Sequence, residues 1–258
     1  MTNEVLLNSF RCLLIVAIIL SLAGCSSNKD AYKGMSATQI FAEAEKNMQK
    51  ENYGKAVKDF EALEARFPYG EYADKAQLGL INAYYKHNEP ALALSAADRF
   101  IRMNPHHPQS DYAYYLKGLV NYDQNYSFTF RYFPLDKSAR DPSSAEEAFE
   151  TFKELIERFP KSQYVPDARQ RMVFLRNMLA QHELLVVEYY IKRGAFLSAA
   201  NRANHIIKYF EQTPAIPKAL AALVTSYRKL GMNKLAEDAL TTLKDNFPDS
   251  EEAKQFSN

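Results

Sequence analysis

The stretch Ala56-Val57-Lys58-Asp59-Phe60-Glu61-Ala62-Leu63-Glu64-Ala65-Arg66-Phe67-Pro68 returns later in the chain as Ala148-x3-Phe152-x2-Leu155-x2-Arg158-Phe159-Pro160. The correspondence continues past the proline, with Tyr72 over Tyr164 and Ala76 over Ala168. A third copy reads Ala236-x3-Leu240-x2-Leu243-x3-Phe247-Pro248. A weaker fourth is Ala93-x3-Ala97-x2-Phe100-x4-Pro105, and a degenerate fifth is Ala199-x3-Ala203-x2-Ile206-x3-Phe210, with its proline delayed to Pro214. Apolar residues at i, i+4, i+7 and i+11 lie on one stripe of an α-helix, and a proline just beyond stops the helix. Each unit therefore supplies a short amphipathic helix with one face to bury.

A partner helix is predicted upstream of each copy, over residues 38–50, 74–86, 109–122, 165–192 and 218–229. Helix pairs of this length follow the tetratricopeptide pattern, in which a small residue lets the two helices approach and a proline closes the unit. In the last unit Leu220, Leu223, Tyr227, Gly231, Ala236, Leu240, Leu243 and Pro248 fall on the positions of that pattern. One pair cannot cover its own stripe, so neighbours must stack into a continuous core. The fold class is all-α, a tetratricopeptide-repeat solenoid of about five helix pairs, with repeats 1–3 over residues 37–160 and repeats 4–5 over residues 161–258. Two departures from even spacing stand out. Residues 123–142 form an insertion with five aromatics (Tyr126, Phe128, Phe130, Tyr132 and Phe133), which is expected to cover the middle of the solenoid, with partner contact as the alternative. The 28 residues from Val165 to Lys192 keep a helical period over twice the usual length and are expected to join the two halves.

The amino terminus carries a different signal. Arg11 precedes the apolar run Cys12–Leu20, which is shorter than the roughly 20 residues a membrane span needs. The run ends at Leu22-Ala23-Gly24-Cys25, which resembles the lipobox of bacterial lipoproteins. Residues 1–24 are therefore expected to be a cleaved signal peptide, Cys25 the lipid attachment site, and residues 25–36 a flexible lipidated tether. Of the two cysteines, Cys12 leaves with the signal and Cys25 is consumed by lipid, so no disulfide is available and the core must supply stability. A net charge of +1 argues against nucleic acid as a partner and against a polybasic membrane patch.

Chemistry-bearing motifs are scarce. His182-Glu183 opens like a zinc-protease helix, but Val186 stands where the second histidine belongs. His106-His107 lies between Pro105 and Pro108 in an inter-repeat turn, which suits solvated imidazoles. Eight glycines are scattered, and none build a phosphate-cradling loop. No enzyme activity, cofactor or metal site is expected. The pairs Tyr84-Tyr85, Tyr114-Tyr115 and Tyr189-Tyr190 are more informative, because helical neighbours point about 100° apart. Either both rings pack between layers or one faces a concave groove, where tyrosines offer rigid contact area for a peptide. Tyr84, Tyr85 and Tyr115 are taken as the groove candidates.

Several strings go beyond the generic repeat: Ala83-Tyr84-Tyr85-Lys86, Arg99-Phe100-Ile101-Arg102-Met103-Asn104-Pro105, Arg140-Asp141-Pro142, Ser162-Gln163-Tyr164 and Arg193-Gly194-Ala195-Phe196. With the lipobox, they make the chain resemble the BamD, or ComL-type, family of lipoproteins of the β-barrel assembly machinery. The resemblance implies a non-enzymatic subunit anchored by lipid to the outer membrane and facing the periplasm. It further implies that the subunit scaffolds the periplasmic domains of BamA beside other Bam lipoproteins and receives unfolded outer-membrane β-barrel proteins for insertion. By the same resemblance Arg202 would face BamA, with His205 and Tyr209 on the same helix extending that interface, and Phe67 would lie near substrate. The competing function is a periplasmic repeat adaptor lipoprotein that recruits cell-wall enzymes.

Overall fold

A computed structural model describes residues 31–124 and 141–256. Cys25, the signal peptide before it and residues 125–140 of the insertion lie outside the described residues. Ten helices pair in chain order: α1 (Ala37–Gln49) with α2 (Tyr53–Arg66), α3 (Glu71–Lys86) with α4 (Pro90–Met103), α5 (Ser110–Gln124) with α6 (Ser143–Arg158), α7 (Val165–Lys192) with α8 (Phe196–Tyr209), and α9 (Ile216–Lys229) with α10 (Asn233–Asn246). A short α11 (Glu251–Gln255) covers the last pair. Each helix packs on the next. The described residues thus form the all-α tetratricopeptide-repeat solenoid of five helix pairs.

The repeated phrase explains the packing. The alanines that open it, Ala56, Ala93, Ala148, Ala199 and Ala236, are at most 3% exposed, and seven positions on, Leu63, Phe100, Leu155, Ile206 and Leu243 are fully buried. Burying such side chains stabilises by about 1.5–3 kcal/mol each. The aromatic Phe of the phrase needs an absent side chain opposite it: a Cβ on Gly79 would lie 2.5 Å from the Phe60 ring, and one on Gly118 would lie 2.4 Å from the Phe152 ring. The phrase's closing aromatic, in Phe67, Phe159, Phe210 and Phe247, caps its helix by donating its N–H to the carbonyl four residues back.

First helices also touch one another, α1 with α3, α3 with α5 and α7 with α9, whereas packing of that extent joins no two second helices among the described residues. The first helices therefore line the inner side of the array. Packing of that extent is not found between α5 and α7, where the two halves meet. There α7 acts as a shared beam: Val165 and Ala168 open its first half, in which Leu175 and Leu179 close one core with α5 and α6, and Ala180, Leu184 and Val187 belong to another with α8 to α11. It spans Val165–Lys192, as its spacing predicts. At its far end α5 runs through Asp123 and Gln124, the first two residues of the expected insertion.

The amino-terminal entry is fixed by side chains. Ser36 and Gln39 form a reciprocal capping box at the start of α1, with bonds of 3.3 and 2.8 Å. Just before it, the Tyr32 hydroxyl donates to Asp59 Oδ1 at 2.7 Å, and Asn47 Nδ2 donates to Oδ2 of the same buried carboxylate at 2.6 Å. Burial first, and then the bond to Asp59, pushes the Tyr32 phenol well above its ordinary range.

Candidate partner-binding surfaces

Adjacent tyrosines part company as the 100° step requires. On α3, Tyr84 is 8% exposed and turns toward the second helices, where its hydroxyl donates to Glu61 Oε1 at 2.6 Å. It lines an outer cleft of about 380 Å³ between α2 and α4, floored by Leu80 and Ala96 and edged by the Arg99–Glu64 ion pair at 2.8 Å. Tyr85 turns the other way, across the inner face, and donates to Asp123 of α5. Tyr114 and Tyr115 repeat the split. Tyr114 is buried under Arg158 of α6, and Tyr115 lies on the inner face. Placing Tyr84 and Tyr85 in one groove is thus corrected by the helix geometry: Tyr85 and Tyr115 share the inner face, and Tyr84 belongs to the outer cleft.

Side chains bridge the inner face at the junction of the halves. The Tyr115 hydroxyl donates to Asp167 Oδ2 at 2.8 Å, and Arg171 Nε donates to the same oxygen at 2.6 Å. The Tyr115 ring stacks on Tyr164 at 4.6 Å, Tyr112 also stacks on Tyr164 at 5.4 Å, and the Arg171 guanidinium lies 4.7 Å over Tyr122. Burial, followed by the bond to Asp167, pushes the Tyr115 phenol up to about 12. Burial alone would raise the Asp167 carboxyl, but the bonds from Arg171 and Tyr115 outweigh it and hold the group below its ordinary value.

Phe67 is half-buried against the first core, and its role as a helix cap is shared with Phe159, Phe210 and Phe247. The accessible aromatic of that turn is Tyr69, 90% exposed and followed by Gly70 at φ +103°. Sequence reasoning passed over it. Its signal was an aromatic in a Pro-Tyr-Gly turn, outside the repeat stripe, with no partner position to fill.

The second candidate surface sits on the carboxy-terminal half. Tyr190 of α7 and Ser198, Asn201, Arg202 and His205 of α8 line an open cleft of about 380 Å³. Arg202 Nη1 reaches Glu183 Oε2 of α7 at 3.2 Å and Oε1 at 3.3 Å. The His205 ring lies 4.7 Å from Tyr209 and 5.8 Å from Phe210, and the Tyr209 side of this face is open to solvent under Lys208. Arg202, His205 and Tyr209 are therefore brought together on one face. His107 does structural work instead: it accepts the Gln109 N–H at 3.1 Å in the turn after α4 and sits 3.5 Å from Asp74. Among the described residues no group of His, Cys, Asp and Glu has the arrangement of a metal site, and no helix is long and apolar enough to cross a membrane.

A helical-repeat scaffold of the tetratricopeptide class, with polar aromatic surfaces on both faces, is what these elements define. Residues 33–252 match the YfiO family, described as outer membrane lipoproteins, and the chain belongs to that family. The outer membrane protein assembly factor BamD of Neisseria meningitidis serogroup B is 43% identical over 249 residues, covering 94% of this chain and 93% of its own. The BamD of Vibrio cholerae is 37% identical over 216 residues, covering 84% of this chain and 90% of its own. Among solved structures, a tetratricopeptide-repeat protein of Thermus thermophilus is similar over 86% of this chain and 96% of its own, at 15% identity and a TM-score of 0.39.

Proposed function

We propose that this chain is a non-enzymatic subunit of the machinery that assembles β-barrel proteins into the outer membrane, held there through lipid on Cys25 and facing the periplasm. The observation that carries the reading is likeness to assembly factors named BamD along nearly the whole of both chains. In this role the carboxy-terminal face, with Arg202, His205 and Tyr209, docks the periplasmic domains of BamA. Tyr85 and Tyr115, with the Phe67 turn, meet extended segments of unfolded barrel proteins. Other lipoproteins of the complex are further partners. The division of labour is supported by the two faces being built from different halves of the solenoid, so that a scaffold contact and a substrate contact can coexist.

Two experiments test it. Full chain purified in detergent should retain the periplasmic domains of BamA in a pull-down, and Arg202→Glu should lose them while keeping its helical circular dichroism. No retention by the unaltered chain overturns the BamA assignment. Depletion of the protein from cells should remove β-barrel proteins from the outer membrane; altered cell wall with normal barrels would favour an adaptor for cell-wall enzymes instead.

A further inference from the structure

Glu183 occupies an unusual position for a carboxylate. Its side chain is 15% exposed and faces two basic groups of α8 at once: Arg202 Nη1 at 3.2 Å and His205 Nδ1 at 3.9 Å, both measured to Oε2. Glu183 Oε2 is buried and held by the Arg202 ion pair, whereas His205 Nδ1, also buried, has no hydrogen-bond partner. A buried polar atom left unpaired is rare and costly, so an imidazole nitrogen 3.9 Å from a carboxylate already held by Arg202 marks an unfinished contact. Arg202 and His205, three residues apart, share one face of α8, so a shift of the carboxylate toward one weakens its hold on the other. Tyr190 of α7 shares the cleft with His205, and Tyr209 and Lys208 lie beside it on its own helix. None of these offers His205 a second carboxylate.

We propose that Glu183 is the positioning residue of the docking face: it holds the Arg202 guanidinium against α7, and a protonated His205 draws Glu183 away and releases Arg202 to grip an anionic group of the partner. The inference rests on the reading of Arg202 as a BamA contact. It makes docking acid-strengthened, because a charged imidazole both competes for Glu183 and adds positive charge to the cleft. An imidazole is the side chain whose charge ordinarily changes between about pH 5 and pH 8, and carboxylates ordinarily stay ionised there.

The test is the affinity of the full chain in detergent for the periplasmic domains of BamA, from about pH 8 to about pH 6. The unaltered chain should tighten by about two- to fivefold over that interval, the range an exposed or half-buried charge pair supports. His205→Gln should give a flat profile over that interval, whatever its level, because the pH-dependent charge is gone. Glu183→Gln should bind tightly at both ends, with Arg202 already released. Arg202→Ala should be weak at every pH. Should Arg202→Ala bind like the unaltered chain, the docking assignment itself fails. Should Arg202→Ala weaken binding while the unaltered chain and His205→Gln give the same flat profile, the assignment stands and the positioning role of Glu183 is overturned. His205 lies at the cleft surface, so His205→Gln keeps the test decisive even if Glu183→Gln proves unstable by thermal melting.

Discussion

Tyr115 of α5 and Asp167 of α7, joined hydroxyl to carboxylate at 2.8 Å, make a direct polar link between the two halves of the solenoid at the point where their first helices pack less closely than elsewhere. Tyr115→Phe should cost about 1 kcal/mol of stability, the worth of one hydrogen bond to a half-exposed charged group. Urea unfolding monitored at 222 nm measures it, and an unchanged midpoint would remove the link from the list of stabilising contacts.

The same pair sets a dependence on pH. Asp167 titrates lower in the folded chain than in the unfolded one, so its contribution is complete above the ordinary carboxylate range and is lost as pH falls through the folded value. Tyr115 is shifted the other way, from 10.0 to about 12, so its contribution is complete below 10.0 and fades as pH rises toward 12. The stability difference between the unaltered chain and Tyr115→Phe should therefore be flat near neutrality and shrink at both extremes. Unfolding midpoints across a pH series check this, and a difference that grows in acid contradicts it.

Gly118 offers a packing test. A methyl group at this position meets the Phe152 ring at 2.4 Å, closer than carbon atoms tolerate. Gly118→Ala should destabilise by about 1–3 kcal/mol, and Phe152→Leu in the same chain should recover part of the loss by opening the space. Additive losses in the double variant would show that the two residues do not share one constraint.

The tyrosine pair on α3 separates stability from binding. Tyr84→Phe removes only the bond to Glu61 on the outer side and should leave capture of unfolded barrel protein unchanged. Tyr85→Ala strips the inner face and should weaken capture several-fold, by the roughly 1 kcal/mol that a peripheral aromatic contact supplies. Cross-linking yields with a fluorescently labelled unfolded barrel protein distinguish the two, and equal effects would refute the division into faces.

Much of the architecture was legible because it rests on one repeated constraint. Ala56, Leu63 and their copies must be small or apolar at fixed spacing for any helix pair to stack, so the stripe survives even in the degenerate unit around Ala199. The long helix was legible from the helical period of Met172, Leu175, Met178, Leu179, Val186, Val187, Tyr190 and Ile191, although Leu175 and Leu179 face one core and Leu184 and Val187 another. Side-chain direction was harder. Which of Tyr84 and Tyr85 meets the inner face depends on how α3 is rotated between α2 and α5, a tertiary quantity that adjacency does not encode. Phe67 was read for substrate, whereas the structure gives its backbone a capping task and leaves Tyr69 in solvent. The pairing of Glu183 with Arg202 and His205 crosses from one helix to the next, and nothing in a one-dimensional pattern selects a buried carboxylate in α7 for that role.

Tyr32 has a consequence of another kind. Its hydroxyl is fastened to Asp59 inside the first repeat, so the leash between the proposed acyl anchor at Cys25 and the folded body counts only the residues from Cys25 to Tyr32. Fully extended, that leash reaches about 25 Å. On the proposed anchoring, the first repeat stays within that reach of the bilayer. Tyr32→Phe, by loosening the fastening, or a run of glycine and serine inserted after Ser27, would lengthen the leash. The prediction is that lipid-anchored protein with the longer leash cross-links to periplasmic partners farther from the membrane, whereas Cys25→Ala leaves the membrane fraction altogether with its helical content intact; membrane retention of Cys25→Ala after a carbonate wash would refute the anchor.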